Sequence, residues 1–234
     1  MILPAIKAIL AMKYFKNIPV NACGVGGFPT HEMAIASTLT EHGFGKWSDW
    51  DRIRDKTLFR YQTNMRFWVE NPELSGMMPV GTFIEHPFGT NDAPDFFIKI
   101  SDTFVMAMEA KSSQGYTPVW NSCLPKPDTV YVFCSEKANQ TTVFRGGSIM
   151  TNAQRNLITE YIESRREEDE ELNNKLFDMD ATHRGITYYT RPMIHQHGTS
   201  DYTNYFKHRN RKKDEQDVFD WIKEKLLITN FKIK

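Results

Sequence analysis

Two acids and a lysine stand out at the ends of two apolar runs: Ala93-Pro94-Asp95-Phe-Phe-Ile-Lys-Ile-Ser-Asp-Thr-Phe-Val-Met-Ala-Met-Glu109-Ala110-Lys111. Asp95 opens one apolar run, and Glu109 and Lys111 sit two apart at the end of the next. In a β-strand, residues i and i+2 point to the same face, so Glu109 and Lys111 project together. A three-residue turn over Ser101–Thr103 sets Asp95 opposite Glu109 on that face, whereas a two-residue turn sends it to the other. Two carboxylates that close repel, and partial burial raises the cost. A hard divalent cation such as Mg²⁺ relieves the repulsion, because it takes carboxylate oxygens while keeping several waters; the carbonyl of Ala110 offers one more oxygen. Such an ion lowers the pKa of a bound water and stabilises charge that grows on a phosphate. Beside it, Lys111 is suited to orienting the water, deprotonating it, or stabilising the pentavalent phosphate, and the sequence does not separate these roles.

Pro94-Asp95 followed, after 13 intervening residues, by Glu109-Ala110-Lys111 resembles the motif of the PD-(D/E)XK nuclease superfamily, best known from type II restriction endonucleases. The resemblance covers roughly residues 79–135. It implies Asp95 and Glu109 as metal ligands, Lys111 as the catalytic lysine, and a restriction-endonuclease-like α/β fold, a mixed β-sheet flanked by helices. It implies, further, sequence-specific hydrolysis of double-stranded DNA with Mg²⁺, leaving 5′-phosphate and 3′-hydroxyl ends, by a homodimer. The rivals are a repair or phage nuclease with the same core, a DNA-binding protein without catalysis, and a hydrolase whose metal is held by His195 and His197.

Secondary features bear on the same chemistry. Glu32 shares a helical stripe with Ile35, Ala36 and Leu39, so its charge lies toward the apolar side of its helix. It is the candidate for the accessory acid that similar nucleases place beside the metal; the alternative is an acid serving the helix dipole. After the lysine, Ser112, Gln114, Asn121 and Lys126 are candidates for DNA contact, since Gln and Asn can pair with adenine edges and Lys with phosphate. The equally plain reading is a polar surface loop with Trp120 tucked into the core. His195 and His197 would share a face of a strand, with His183 and Asp201 as the remaining candidate ligands. Residues 160–171 hold seven acids and two arginines, and residues 207–213 hold five basic residues and no acid. The first reads as a solvated helix face. The second, with Lys207, Arg209 and Arg211, reads as a phosphate-contacting arm or an exposed segment.

Positioning these residues requires strands, and the sequence predicts four in succession at 80–85, 95–100, 103–111 and 129–134, with another at 185–190. Helices are expected over 4–16, over 31–42 with Thr30 as cap and a stop near Gly43, over 152–177 with Thr151 as cap, and over 217–227. Gly24–Pro29 lacks the residues of a phosphate-binding loop and reads as a connector, and residues 46–70 as helical or irregular. One nuclease domain over 1–234 is expected, with its catalytic core at about 79–135.

Composition sets the outer limits. Hydrophobic residues make up 40% of the chain, enough for a real core. Cys23, Cys123 and Cys134 are scattered, which argues against disulfides or a zinc ribbon and for a reducing compartment. The apolar N-terminus is interrupted by Lys7 and Lys13 and is too short to span a bilayer, so a cytoplasmic protein without membrane association is expected. The net charge of zero permits DNA binding, because binding depends on local charge and the charge here is segregated.

Overall fold

The computed structural model describes residues 1–17, 30–50, 77–89, 93–121, 124–190, 193–196 and 200–231. The expected connector at 24–29, residues 51–70, Cys23, Cys123, His197 and the side chain of Asp201 lie outside the described residues.

The architecture is mixed α/β. Six strands, β1 (Gly45–Lys46), β2 (Thr82–Glu85), β3 (Phe96–Ser101), β4 (Phe104–Ser113), β5 (Thr129–Ser135) and β6 (Gln140–Arg145), form one sheet in sequence order. The pairs β1–β2 and β4–β5 are parallel; β2–β3, β3–β4 and β5–β6 are antiparallel. The helices are α1 (Ile2–Ala11), α2 (His31–Glu41), α3 (Asn152–Asp178), the short α4 (Ser200–Thr203) and α5 (Arg211–Phe231).

The sheet is buried on both faces, which explains why its strands read as nearly unbroken apolar runs. One face carries Phe96, Ile98, Met106, Met108, Val130, Val132 and Val143 against Ile6 and Ile9 of α1, Ile35 and Leu39 of α2, and Val218 and Ile222 of α5. The other face holds two smaller clusters. Ile84, Phe97, Val105 and Ala107 pack with Trp50, Met78 and Phe88. Tyr131, Phe133 and Phe144 pack beneath Trp120, with Ile194, Tyr205 and Phe206 completing the cover. Burying each large side chain stabilises by about 1.5–3 kcal/mol, so β4 is held firmly from both sides.

The turn between β3 and β4 decides where Asp95 points. Lys99 pairs with Val105 but Ser101 pairs with Phe104, leaving the two-residue turn Asp102–Thr103 and one unmatched residue, Ile100. That bulge adds a residue to β3, and the extra residue restores the register a two-residue turn would have lost. Phe96 therefore pairs with Met108, and Asp95 stands across from Glu109.

Several elements depart from the bounds expected of them. The first helix stops at Ala11 because Met12 is extended, and Tyr14 and Phe15 turn inward to pack with Ala34 and Cys134. Thr30 caps α2 by accepting from the Met33 N–H at 3.1 Å, and Gly43 follows with φ of +88°, a conformation that suits glycine. Thr151 and Gln154 form a reciprocal capping box at the start of α3. The strand expected at 185–190 joins no sheet among the described residues. The segment runs back along α3, where Asn173 replaces a ladder partner by accepting from the Tyr188 N–H (2.7 Å) and donating to its carbonyl (2.8 Å). The helix expected over 217–227 begins earlier, at Arg211. β1 and β6 are not among the expected strands: β1 has two residues, and the alternation of Gln140–Arg145 is masked by its two threonines. Among the described residues, no helix is long and apolar enough to cross a membrane.

The turn after β6 fits closely against the segment that enters β5: a Cβ at Gly146 would lie 2.1 Å from the Lys126 carbonyl oxygen. Gly146→Ala should lower the stability by about 1–3 kcal/mol in urea unfolding, as overpacking does; an unchanged midpoint would contradict the packing described.

Candidate active site

Asp95, Glu109 and Lys111 converge on the sheet face between the two smaller clusters. Glu109 lies in the interior of β4, paired with Tyr131, and is 6% exposed. A carboxylate this deep needs partners, and among the described residues it has two: Lys111 Nζ donates to Oε1 at 2.8 Å and the Asp95 N–H donates to Oε2 at 3.2 Å. Asp95 answers across the strands, its Oδ2 accepting the Ala110 N–H at 2.8 Å. Each acid is thus oriented by the other's strand, and the backbone of Ala110 lies between them.

Burial, first, and the charge of Glu109, second, push the Asp95 carboxyl up to about 7. The Ala110 N–H and the Lys111 ammonium pull the other way. A further upward push comes from Glu32, half-buried in the first turn of α2. The structure therefore brings Glu32 within electrostatic reach of Asp95.

Two neighbours lie outside the candidates drawn from the sequence. His86 follows β2 directly, and because Glu85 pairs with Phe96 its ring falls beside Asp95, with Nδ1 3.6 Å from Oδ1. Among the described residues that buried nitrogen has no hydrogen-bond partner, and the residue holds a φ of +46°, strained for a non-glycine. The signal is present in the order of the strand runs: pairing the first with the second places the residue after Glu85 next to Asp95. The second neighbour is Trp120, whose ring lies 5.9 Å from Lys111 Nζ and walls the site.

The remaining candidates are more dispersed. Ser112 lies on the opposite face of β4 from Lys111, since it alternates with it along the strand. Gln114 and Asn121 are exposed, and the Lys126 N–H donates to the Tyr131 hydroxyl at 2.9 Å. Trp120 is buried, as the surface-loop reading expects. In the basic run, Lys207, Arg209, Lys212 and Lys213 are exposed. Arg211 instead ties α5 to the sheet edge: it donates to Glu215 (2.8 Å), Gln140 (3.0 Å) and the Phe206 carbonyl (3.3 Å) and stacks on the Phe206 ring. His183 and His195 are exposed, and the acidic helix α3 buries only Asp169.

The donor set suits a hard divalent ion: two carboxyl groups in one partly buried place, an adjacent backbone carbonyl and a third acid within electrostatic reach. Among the described residues, no group of three or more His, Cys, Asp or Glu side chains is gathered as a protein-only metal cage. Mg²⁺ needs none, because it is commonly held by one or two carboxylates and keeps its waters. No protein-family model, curated protein or solved structure matches the chain.

The metal-free protein should carry a pH signature. Asp95 has a higher pKa folded than unfolded, so between about pH 4 and 7 the folded state holds the extra proton, and stability from this group falls as pH rises. Buried His31, its pKa lowered to about 4 by burial, acts in the opposite sense, losing stability as pH falls toward 4. Asp95→Asn keeps an oxygen for the Ala110 N–H and removes the charge. In EDTA, its stability relative to wild type should increase from pH 5 to pH 8 in thermal unfolding; a constant difference would contradict the assignment.

Proposed function

We propose that this chain is a Mg²⁺-dependent endodeoxyribonuclease of the PD-(D/E)XK kind, hydrolysing double-stranded DNA as a type II restriction endonuclease and acting as a homodimer. The observation that carries the reading is the juxtaposition of Asp95 and Glu109 across two strands, with Lys111 on the same face donating to Glu109 at 2.8 Å. Ordinary sheets avoid a buried acid pair; a site that must hold a cation against a phosphate requires one.

Asp95 and Glu109 would hold the ion, with the Ala110 carbonyl nearby. When bound, the ion supplies Lewis acidity at the scissile phosphate and acidifies a water. Lys111 already donates to Glu109, and an ammonium so engaged cannot also accept a proton. Of its three candidate roles, orienting the attacking water and offsetting charge on the phosphate are therefore favoured. Hydrolysis forms a bond from the water oxygen to phosphorus and breaks the P–O3′ bond, the 3′ oxygen leaving with a proton. It requires no covalent enzyme intermediate. Glu32 would add negative charge behind Asp95 and so strengthen the hold on a cation. Trp120 and the aromatic cluster under it fix the Lys111 stem and exclude water from one side.

The choice of DNA rests on the motif resemblance and on the exposed cations Lys207, Arg209, Lys212 and Lys213. Incubation with plasmid and long linear DNA in Mg²⁺ should give discrete bands; a smear would favour a nuclease without site selection. DNA left intact in both Mg²⁺ and Mn²⁺ would overturn the catalytic reading. Lys111→Ala should slow cleavage by about 10²–10³-fold, the scale on which losing one charge-stabilising group acts, while DNA retention in a gel-shift assay persists. Cutting at the wild-type rate would remove Lys111 from the chemistry.

A further inference from the structure

Helix α3 is 27 residues long, about 40 Å at 1.5 Å per residue, and only one of its residues is buried. Arg155 anchors its first turns by donating to the Pro125 carbonyl at 3.1 Å, and its second half is accompanied by the 185–190 segment. Large apolar side chains remain in solvent along it: Leu157 is 69% exposed, Tyr161 64% and Leu172 41%. Phe177, 80% exposed near the C-terminal end, lies on another side of the helix, but the positions of the other three are regular.

Leu157, Tyr161, Arg165, Glu168, Leu172 and Leu176 follow one another at steps of four, four, three, four and four residues, which keeps them on one side of the helix. The series reads the same from either end. It places apolar residues at both ends and opposite charges at the centre. A helix with such a stripe is complementary to a second copy of itself only when the two run antiparallel. Leu157 then meets Leu176, Tyr161 meets Leu172, and Arg165 meets Glu168, each contact made twice about a two-fold axis. A parallel pairing would set Arg165 on Arg165 and Glu168 on Glu168.

We propose that α3 is the self-association helix of this protein, joining two copies of the chain as an antiparallel pair whose axis passes between Arg165 and Glu168. Within one copy Arg165 already pairs with Glu168, so the dimer turns two isolated ion pairs into a four-charge ring flanked by apolar layers. Isologous contact of this kind closes at two copies and does not propagate. The inference rests on the homodimer part of the proposed function and names its surface; it uses no feature of the acid–lysine site, so a monomeric protein would remove the dimer while DNA cleavage in Mg²⁺ would still report separately on the nuclease chemistry.

Sedimentation velocity on the full chain, without DNA or metal, tests it. Wild type should sediment as a dimer at micromolar concentration. Arg165→Glu alone sets two like-charge contacts across the axis, as does Glu168→Arg alone, and each should weaken association by about tenfold or more. An equimolar mixture of the two variants should recover the dimer, because one copy then presents two glutamates at the axis and the other two arginines. Both variants keep a like-charge pair within each copy, so recovery can only arise between copies. A monomeric wild type, single variants that dimerise as wild type does, or a mixture that stays monomeric while circular dichroism shows both variants folded, would each overturn the proposal.

Discussion

The repulsion between Asp95 and Glu109 is the constraint around which this part of the molecule is arranged. Two carboxylates on adjacent strands would separate if either strand could slip, rotate or fray. β4 cannot, because it is the buried centre of the sheet and its flanking residues fill cores on both faces. β3 cannot, because its backbone is paired with β2 on one edge and β4 on the other while its side chains are buried on both faces. The backbone N–H groups of Asp95 and Ala110 then hold each acid in place from the opposite strand. The result is a negative site whose charge is tolerated with help from Lys111 and from the raised pKa of Asp95, and which a divalent cation would relieve more fully.

The hairpin shows how a small irregularity serves that arrangement. A two-residue turn without compensation would carry Asp95 through the sheet and bury its carboxylate against α1 and α2. The unmatched Ile100 prevents this by restoring one residue to the count. Its cost is local, a disrupted ladder near the hairpin end, far along the strand from the acids.

The strand runs and the acid–lysine spacing are legible in the sequence because buried strands announce themselves by composition, and because period-two geometry fixes which residues share a face. The turn is not: both two- and three-residue turns fit Ser101–Thr103, and a bulge is a property of the paired strands. His86 is harder to read, because the order of the strand runs points to it only if β2 is taken to pair with β3. The extended segment 185–190 has strand-like composition but finds side chains of α3 where a strand would need a backbone edge. Arg211 looks like its basic neighbours, yet the start of α5 places it against the sheet edge, where its donors meet protein acceptors.

The account's central claim, that the acid pair exists to hold a divalent cation, is tested most directly by anomalous scattering from crystals grown with Mn²⁺. It predicts a peak shared by the Asp95 and Glu109 carboxylates, lost in Asp95→Asn crystals grown in the same way. An anomalous map with no ion between those two acids, in crystals whose density shows both side chains ordered, would contradict it.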